Sequence, residues 1–221
     1  MQGTGQDRLI GTLLAEAPGD AIFDMDGTLI RGDIGESVMF RVIDRPDLPE
    51  VARKHLGDGD RRAAYAALCK RDFCLAGDVA LQCLAGLTVG RVEELVAECL
   101  AAGDVAVNGA VLGLARAIGQ RHRVWILTGS GEIIGRAMGR HLKIAGVVGL
   151  RVRMDGDRLT DEIVPPCTCG QGKVEAARAL ISARPVFSIG DSPTDLPLLR
   201  TAIHARTLGR IAGVEFPAFE G

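Results

Sequence analysis

The chain has 221 residues, enough for one medium-sized domain or for one domain with a small insertion. Hydrophobic residues make up 47% of it and aromatic residues only 4%, so we expect a core built mainly from aliphatic side chains. The 26 basic and 28 acidic residues give a net charge of −2 without long runs of either sign, which argues against a nucleic-acid partner held by a basic surface.

The sequence predicts no secretory signal at the start of the chain. Residues 1–20 lack a basic start followed by an apolar run, and no apolar stretch in the sequence approaches the roughly 20 residues that span a bilayer. We therefore expect a cytoplasmic protein with no membrane partner.

The first predicted strand covers residues 21–23, a short apolar run that ends at Asp24 and Asp26.

The pattern between residues 33 and 103 is helical, with prolines and glycines as breaks. The predicted helices are residues 34–43, 61–75 and 89–102. A helical block of about 70 residues inserted after the first strand suggests a small cap above a site. The sequence therefore predicts a cap at residues 33–103 and a core domain formed by residues 1–32 and 104–221.

Two further apolar runs, at residues 124–127 and 186–189, predict buried parallel strands. Helical patterns alternate with them, at residues 110–118, 132–142 and 174–182. An Asp-Gly pair at residues 155–156 predicts a hairpin. Together these patterns indicate an α/β fold with a doubly wound, Rossmann-like parallel sheet. Ligands of such sheets bind beyond the carboxyl ends of the strands, where all three predicted strands have polar residues.

Two carboxylates, Asp24 and Asp26, follow the first strand, and Gly27 permits the chain to turn there. Two ionised carboxylates this close are costly without a cation or a proton between them. One division of roles resolves that cost: Asp24 binds a metal and acts as nucleophile, and Asp26 acts as general acid and base. Asp191 and Asp195, after the last predicted strand, add the oxygen ligands that Mg²⁺ prefers.

Other polar residues suit a phosphate group. Thr128 offers a hydroxyl, Gly129 offers an N–H at a helix start, and Lys173 offers a positive charge. Each has a simpler alternative, since Thr128 and Asp195 can be helix caps and Lys173 can be a solvated lysine. Asp33 can contact substrate or cap the helix that follows it. The place of Thr128 after a central strand favours the phosphate site, and the glycines before Lys173 let the backbone bend toward that site.

The six cysteines follow no regular spacing. They are Cys69, Cys74, Cys83, Cys99, Cys167 and Cys169. In a cytoplasmic protein we expect reduced thiols. Cys167 and Cys169 have no second Cys or His pair at metal-ligand spacing, so we expect a structural role for them as well.

Four segments together resemble the motifs of the haloacid dehalogenase superfamily, in order and over nearly the whole chain. They are Asp24-Met25-Asp26-Gly27-Thr28, Thr128-Gly129, Lys173 and Gly190-Asp191-Ser192-Pro193-Thr194-Asp195. The resemblance implies that Asp24 forms an aspartyl-phosphate, and that Asp26 protonates the leaving alcohol and then activates water. The implied Mg²⁺ ligands are Asp24, the main-chain carbonyl of Asp26 and Asp191, with Asp195 in support. The residues implied to contact the phosphoryl group are Gly27, Thr128, Gly129 and Lys173.

The cap and the hairpin before Lys173 are most similar to the phosphoserine phosphatase branch, whose members act on phosphoserine, phosphocholine, phosphoethanolamine and similar small esters. Phosphoserine phosphatases have a Glu nine residues after the nucleophile, where this chain has Asp33. They also have a substrate-binding Arg in the cap, at a position that falls near Ala80. Asp33 without that Arg suits a substrate with an amine or quaternary ammonium head better than a substrate that is an amino acid.

The predicted function is therefore Mg²⁺-dependent hydrolysis of a small phosphorylated metabolite. An acid at position 26 favours a phosphatase or mutase over the dehalogenases, which lack it. Two alternatives stay open: a phosphotransferase or mutase of the same fold, and a non-catalytic binding protein.

Overall fold

The computed structural model describes residues 5–209, 211 and 216–219 of the chain. Strands and helices alternate over most of this part. The exceptions are a purely helical segment between the second and third strands and two pairs of consecutive strands, the first with the second and the fifth with the sixth. The strands are β1 (Asp20–Phe23), β2 (Ile30–Arg31), β3 (Ala106–Val107), β4 (Arg123–Gly131), β5 (Gly146–Asp155), β6 (Arg158–Val164), β7 (Phe187–Gly190) and β8 (His204–Thr207). The helices are α1 (Gly5–Ala15), α2 (Ile34–Phe40), α3 (Glu50–Leu56), α4 (Arg61–Arg71), α5 (Phe73–Gln82), α6 (Val89–Ala102), α7 (Gly109–Ile118), α8 (Glu132–Leu142), α9 (Gln171–Leu180) and α10 (Leu196–Leu199), with a 3-10 turn at Pro193–Asp195.

The central sheet has the spatial strand order β6-β5-β4-β1-β7-β8. Its neighbouring strands are parallel except β5 and β6, which form an antiparallel hairpin at the predicted Asp-Gly turn. The three predicted apolar strands correspond to β1, β4 and β7. The α/β class and the Rossmann-like parallel sheet are thereby confirmed.

Alternate side chains of the central strands enter two separate apolar clusters, one on each face of the sheet. Phe23 and Ile126 belong to the larger cluster, together with residues of α1, α7 and α8. Ile22 and Leu127 belong to the smaller cluster, together with residues of α9 and α10. Because both faces are covered, the strands are continuous apolar runs rather than alternating ones.

The helical pattern between residues 33 and 103 is confirmed as the five helices α2 to α6. The single helix predicted over residues 61–75 is wrong, because it is interrupted at Asp72. The Asp72 side chain accepts a hydrogen bond from the Leu75 amide, and its own N–H donates to the Leu68 carbonyl. Asp favours a helix cap over a helix interior, so it divides the pattern into α4 and α5. Within the described residues, no helix is both long and apolar enough to cross a membrane.

We call residues 33–103 the cap. Its base is marked by the pairing of β2 with β3, where the chain leaves and re-enters the core. A second attachment joins the loop before α6 to the β5–β6 hairpin through main-chain hydrogen bonds. Gly86 donates to the Leu159 carbonyl at 2.7 Å, and Leu159 donates to the Leu87 carbonyl at 2.9 Å. The cap is therefore docked on the core by backbone as well as by side chains.

Two cysteines form a disulfide, so the expectation that all six are reduced thiols is wrong. Cys74, in α5 of the cap, is bonded to Cys169, which precedes α9 in the core. Their Cα atoms are 5.6 Å apart, although 95 residues separate them along the chain. The spacing of cysteines does not reveal such a pair, because the fold alone brings the two positions together. The remaining cysteines are free thiols: Cys69, Cys83, Cys99 and Cys167.

Candidate active site

The carboxyl ends of three adjacent strands bring the predicted site residues together. Phe23, the last residue of β1, pairs with Ile126 of β4 on one side and with Ile189 of β7 on the other. The polar residues that follow these positions are Asp24, Thr128 and Asp191. The register of the sheet therefore gathers three of the four sequence motifs at one edge.

Lys173 joins two of the predicted carboxylates. Its Nζ donates to Asp24 Oδ1 at 2.6 Å and to Asp195 Oδ1 at 2.5 Å, and all three residues are buried. Lys173 lies in the first turn of α9, just after Gly170, whose φ of +55° is a left-handed conformation that glycine adopts at little cost. Lys173 is therefore a buried ion-pair partner and not a solvated lysine.

Burial and the charges of these three residues set their protonation. Burial raises the pKa of Asp24 well above its usual value, and the charge of Lys173 opposes that shift. Burial would lower the pKa of Lys173, but the charges of Asp195 and Asp24 raise it above its usual value. For Asp195, the charge and hydrogen bond of Lys173 outweigh burial and hold the pKa below its usual value. The charge of Lys173 thus favours the ionised form of Asp24, which burial disfavours.

Asp26 is held by hydrogen bonds from three residues. Its Oδ1 accepts from the Ile34 main-chain N–H at 2.9 Å, and its Oδ2 accepts from the hydroxyls of Thr128 at 3.0 Å and Ser130 at 2.8 Å. Burial and the charge of Asp33 raise the pKa of Asp26 to about 7, although the three hydrogen bonds act to lower it. A carboxyl group with this pKa can hold or release a proton at neutral pH, as a general acid and base must.

Ser130 is a site residue that the sequence reasoning missed. It lines the cavity described below, whereas the fully buried Thr128 does not. The Thr128 hydroxyl is engaged both as donor to Asp26 and as acceptor from the Ser130 N–H at 3.0 Å. The available signal was spacing, because residues two apart in a strand point to the same side. A Cβ on Gly35 would lie 2.4 Å from Ser130 Oγ, so the cap approaches β4 closely here.

An acidic cluster at the site fits a divalent cation. Asp24, Asp191 and Asp195 can bring carboxylate oxygens within 4.8 Å of one another. Thr28 Oγ1 donates to Asp191 Oδ1 at 3.3 Å, and a Cβ on Gly27 would lie 2.1 Å from Asp191 Oδ2. Burial disfavours the ionised forms of Asp24 and Asp191 and so raises the pKa of both. A bound cation would stabilise these ionised forms. Carboxylate oxygens are the ligands preferred by Mg²⁺.

Asp195 fits the supporting role expected for it. Its Oδ2 accepts from the Asp191 N–H at 3.2 Å and from both the N–H and the hydroxyl of Ser192, at 3.0 and 2.9 Å. Its Oδ1 is already bonded to Lys173. A Cβ on Gly190 would lie 2.5 Å from Asp195 Cγ, so glycine is required where this carboxylate packs. Asp195 therefore orders the loop that carries Asp191 and also orients Lys173.

A cavity of about 390 Å³ lies over Asp24, and residues of both the core and the cap line it. From the core, the predicted residues Gly27, Gly129 and Lys173 take part. The cap contributes three carboxylates and two aromatic rings: Asp33, Glu36, Asp78, Tyr65 and Phe73. Asp33 Oδ1 also accepts from the Glu36 N–H at 2.7 Å at the start of α2. Asp33 is therefore a helix cap and a cavity residue at once.

Comparison with solved structures shows a shared fold at low sequence identity. A functionally unknown protein from Anaerococcus prevotii DSM 20548 has a TM-score of 0.70 at 16% identity, over 94% of this chain and 86% of the other. A substrate-bound phosphoserine phosphatase has a TM-score of 0.59 at 13% identity, over 87% of this chain and 86% of the other. A phosphoserine phosphohydrolase-like protein from Francisella tularensis subsp. tularensis SCHU S4 has a TM-score of 0.59 at 17% identity, over 86% of each chain.

Sequence comparison adds the family. No curated protein sequence matches the chain. The profile of the haloacid dehalogenase-like hydrolases, however, matches residues 21–200, a range that includes all four motifs. The expected resemblance to this superfamily, with a phosphoserine phosphatase-like fold, is confirmed. The chain therefore belongs to the haloacid dehalogenase-like hydrolase family.

Proposed function

We propose that the chain is a phosphomonoesterase that transfers the phosphoryl group of a small metabolite first to Asp24 and then to water. The observation that best supports this is the pairing of Asp24 with Lys173 beside an Asp26 that is held separately. Asp24, Asp26 and Lys173 all line one cavity. One carboxylate is thus suited to nucleophilic attack, and the other, with a pKa of about 7, to proton transfer.

The first proposed step forms the phosphoenzyme. An Asp24 carboxylate oxygen bonds to phosphorus while the ester bond to the alcohol breaks, and Asp26 gives its proton to the leaving oxygen. In the second step Asp26 takes a proton from water, which attacks phosphorus and releases phosphate and the free Asp24 carboxylate. The Thr128 and Ser130 hydroxyls hold Asp26 in one orientation throughout.

Mg²⁺ is part of this proposal. Its proposed ligands are Asp24, Asp191 and the main-chain carbonyl of Asp26, with Asp195 acting through Lys173. When bound, the cation supplies positive charge that offsets the charge of the phosphoryl oxygens. The protein groups proposed to contact those oxygens are Lys173 and the main-chain N–H at Gly129, because the Thr128 hydroxyl donates to Asp26 and the Gly27 N–H donates to the Gly32 carbonyl.

For the leaving alcohol we propose a small molecule with a cationic head, of the phosphocholine or phosphoethanolamine type. The cap side of the cavity presents Asp33, Glu36 and Asp78, and Asp78 Oδ1 is buried without a hydrogen-bond partner. Tyr65 and Phe73 add aromatic rings, which attract cations. No arginine or lysine is among the described cap residues that line the cavity, so on that side the carboxylate of phosphoserine would meet acids without a counter-charge. Phosphoserine is nevertheless the competing substrate, because solved proteins of this fold are named for it.

Phosphate release from an aryl phosphate, with and without Mg²⁺, tests the reaction. We expect Asp24→Asn to lower the rate by at least about a thousandfold, because the nucleophile is lost. The matched control is Asp155→Asn, which changes an exposed carboxylate at the end of β5 and should leave the rate unchanged. Undiminished release by Asp24→Asn, or no release by the wild type with Mg²⁺, would contradict the mechanism.

A panel of phosphorylated metabolites tests the substrate. We expect phosphocholine or phosphoethanolamine to have a higher kcat/KM than phosphoserine or sugar phosphates. Preference for phosphoserine would overturn the cationic-head proposal while leaving the phosphatase intact. An added alcohol that accepts the phosphoryl group would indicate a phosphotransferase or mutase, and tight binding without turnover would indicate a binding protein. The cytoplasmic location expected from the sequence belongs to this proposal as well.

A further inference from the structure

The Cys74–Cys169 disulfide joins the cap to the core at the cavity itself. Both cysteines line the cavity, and so do Phe73, Gly77 and Asp78 of the same helix, α5. The disulfide therefore fixes the N-terminal end of a helix that forms part of the cavity wall.

The opposite end of α5 is attached differently. Gln82 Nε2 donates to the Asp161 carbonyl at 3.1 Å, and Gly86, in the loop that follows, donates to the Leu159 carbonyl of the hairpin. These hydrogen bonds can break and re-form during a domain motion, whereas a disulfide cannot without a redox reaction. With the disulfide closed, α5 is held at both of its ends.

The core partner of the disulfide is close in sequence to the site lysine. The Gly172 N–H donates to the Cys169 carbonyl at 3.0 Å, and the Lys173 N–H donates to the Gly170 carbonyl at 3.1 Å. A Cβ on Gly172 would lie 2.2 Å from the Cys167 carbonyl, so this segment is tightly folded. The covalent bond thus ties α5 to a compact turn that starts α9.

We propose that the Cys74–Cys169 disulfide is a redox-controlled latch that restrains the cap and slows exchange of substrate and product. Reduction by a dithiol supplies two electrons and two protons, so that the disulfide becomes two thiols while the dithiol is oxidised to its own disulfide. Freed from Cys169, the N-terminal end of α5 moves away from the core, and the cavity opens. In a reducing compartment, disulfides of this kind are usually transient and redox-responsive. The effect on turnover rests on the phosphatase proposed above, but the restraint on α5 does not.

Two measurements on the intact protein, oxidised and then reduced with dithiothreitol, test the latch. Alkylation in denaturant should count four thiols in the oxidised protein and six in the reduced one. Hydrogen exchange of residues 73–82 should become about tenfold faster on reduction. Phosphate release from an aryl phosphate at saturating concentration should rise by at least about threefold, because opening of a lid limits many turnover rates.

Two variants test whether the changes in hydrogen exchange and in phosphate release come from the Cys74–Cys169 disulfide. Cys74→Ser should show fast exchange and fast turnover with or without dithiothreitol. Cys167→Ser is the matched control, because Cys167 lines the same cavity as a free thiol and its loss should leave both responses intact.

The outcomes separate the latch from the phosphatase. Six thiols in the oxidised protein, or unchanged exchange on reduction of the wild type, overturn the latch without reference to any variant. Faster exchange without phosphate release in either state supports the latch and rejects the phosphatase. Phosphate release that does not respond to a measured change in exchange overturns the claim that the latch controls turnover.

Discussion

Replacing Lys173 with methionine removes a positive charge that contacts two buried carboxylates. The Nζ atom lies 2.6 Å from Asp24 Oδ1 and 2.5 Å from Asp195 Oδ1, and the lysine is only 3% exposed. At an effective dielectric constant of about 20, each contact is worth about 6 kcal/mol before the cost of removing the ions from water is subtracted. Removing one partner of a buried ion pair usually costs about 3–5 kcal/mol, and we expect Lys173→Met to lower the free energy of unfolding by this amount.

Urea denaturation followed by circular dichroism measures the loss, in EDTA so that no divalent cation replaces the lysine. The matched control is Lys70→Met, which removes an exposed charge and should change stability by less than about 0.5 kcal/mol. Adding Asp24→Asn to Lys173→Met should recover at least about 1 kcal/mol, because one of the two unpaired charges is gone. A loss below about 1 kcal/mol, or no recovery in the double variant, would refute the neutralising role of Lys173.

Three further predictions concern the glycine turn, Asp26 and the metal. Gly27→Ala should lower phosphate release about a hundredfold, because the added Cβ would displace Asp191. Gly57 has a similar positive φ but open space around it, so Gly57→Ala is the control and should leave activity unchanged. The free energy of unfolding in EDTA should fall as pH rises from about 4 to 7, because Asp26 binds its proton more tightly in the folded state than in the unfolded chain. Urea titrations across that range should show a shallower fall for Asp26→Asn. Mg²⁺ at about a hundred times its Kd should stabilise the wild type by about 2.7 kcal/mol in thermal melts. Asp191→Asn should lose most of that gain, and an equal gain in this variant would place the metal elsewhere.

Much of the fold could be predicted from the sequence, for an identifiable physical reason. Strands covered by helices on both faces are continuous apolar runs, and residues 21–23, 124–127 and 186–189 stand out for that reason. Asp24 and Asp191 could be assigned to one place, because parallel strands end at the same edge of a sheet.

The features that were missed depend on contacts between distant parts of the chain. Ser130 is a site residue because β4 extends to Gly131 and aims its hydroxyl at Asp26, 104 residues away in sequence. The pairing of Cys74 with Cys169 likewise follows from how α5 rests on the core. The disulfide leaves no local pattern in the sequence, and the local sign of Ser130 is its two-residue spacing from Thr128 in a strand.

The docking of the cap on the β5–β6 hairpin bears on how substrate preference can evolve. Bonds between main-chain N–H and carbonyl groups, such as those joining Gly86 and Leu87 to Leu159, do not depend on which side chains flank them. Substitutions on the cavity-facing side of α4 and α5 therefore leave this attachment in place. Natural variation can alter the chemistry of the proposed leaving-group pocket while Asp24, Asp26 and their scaffold stay unchanged.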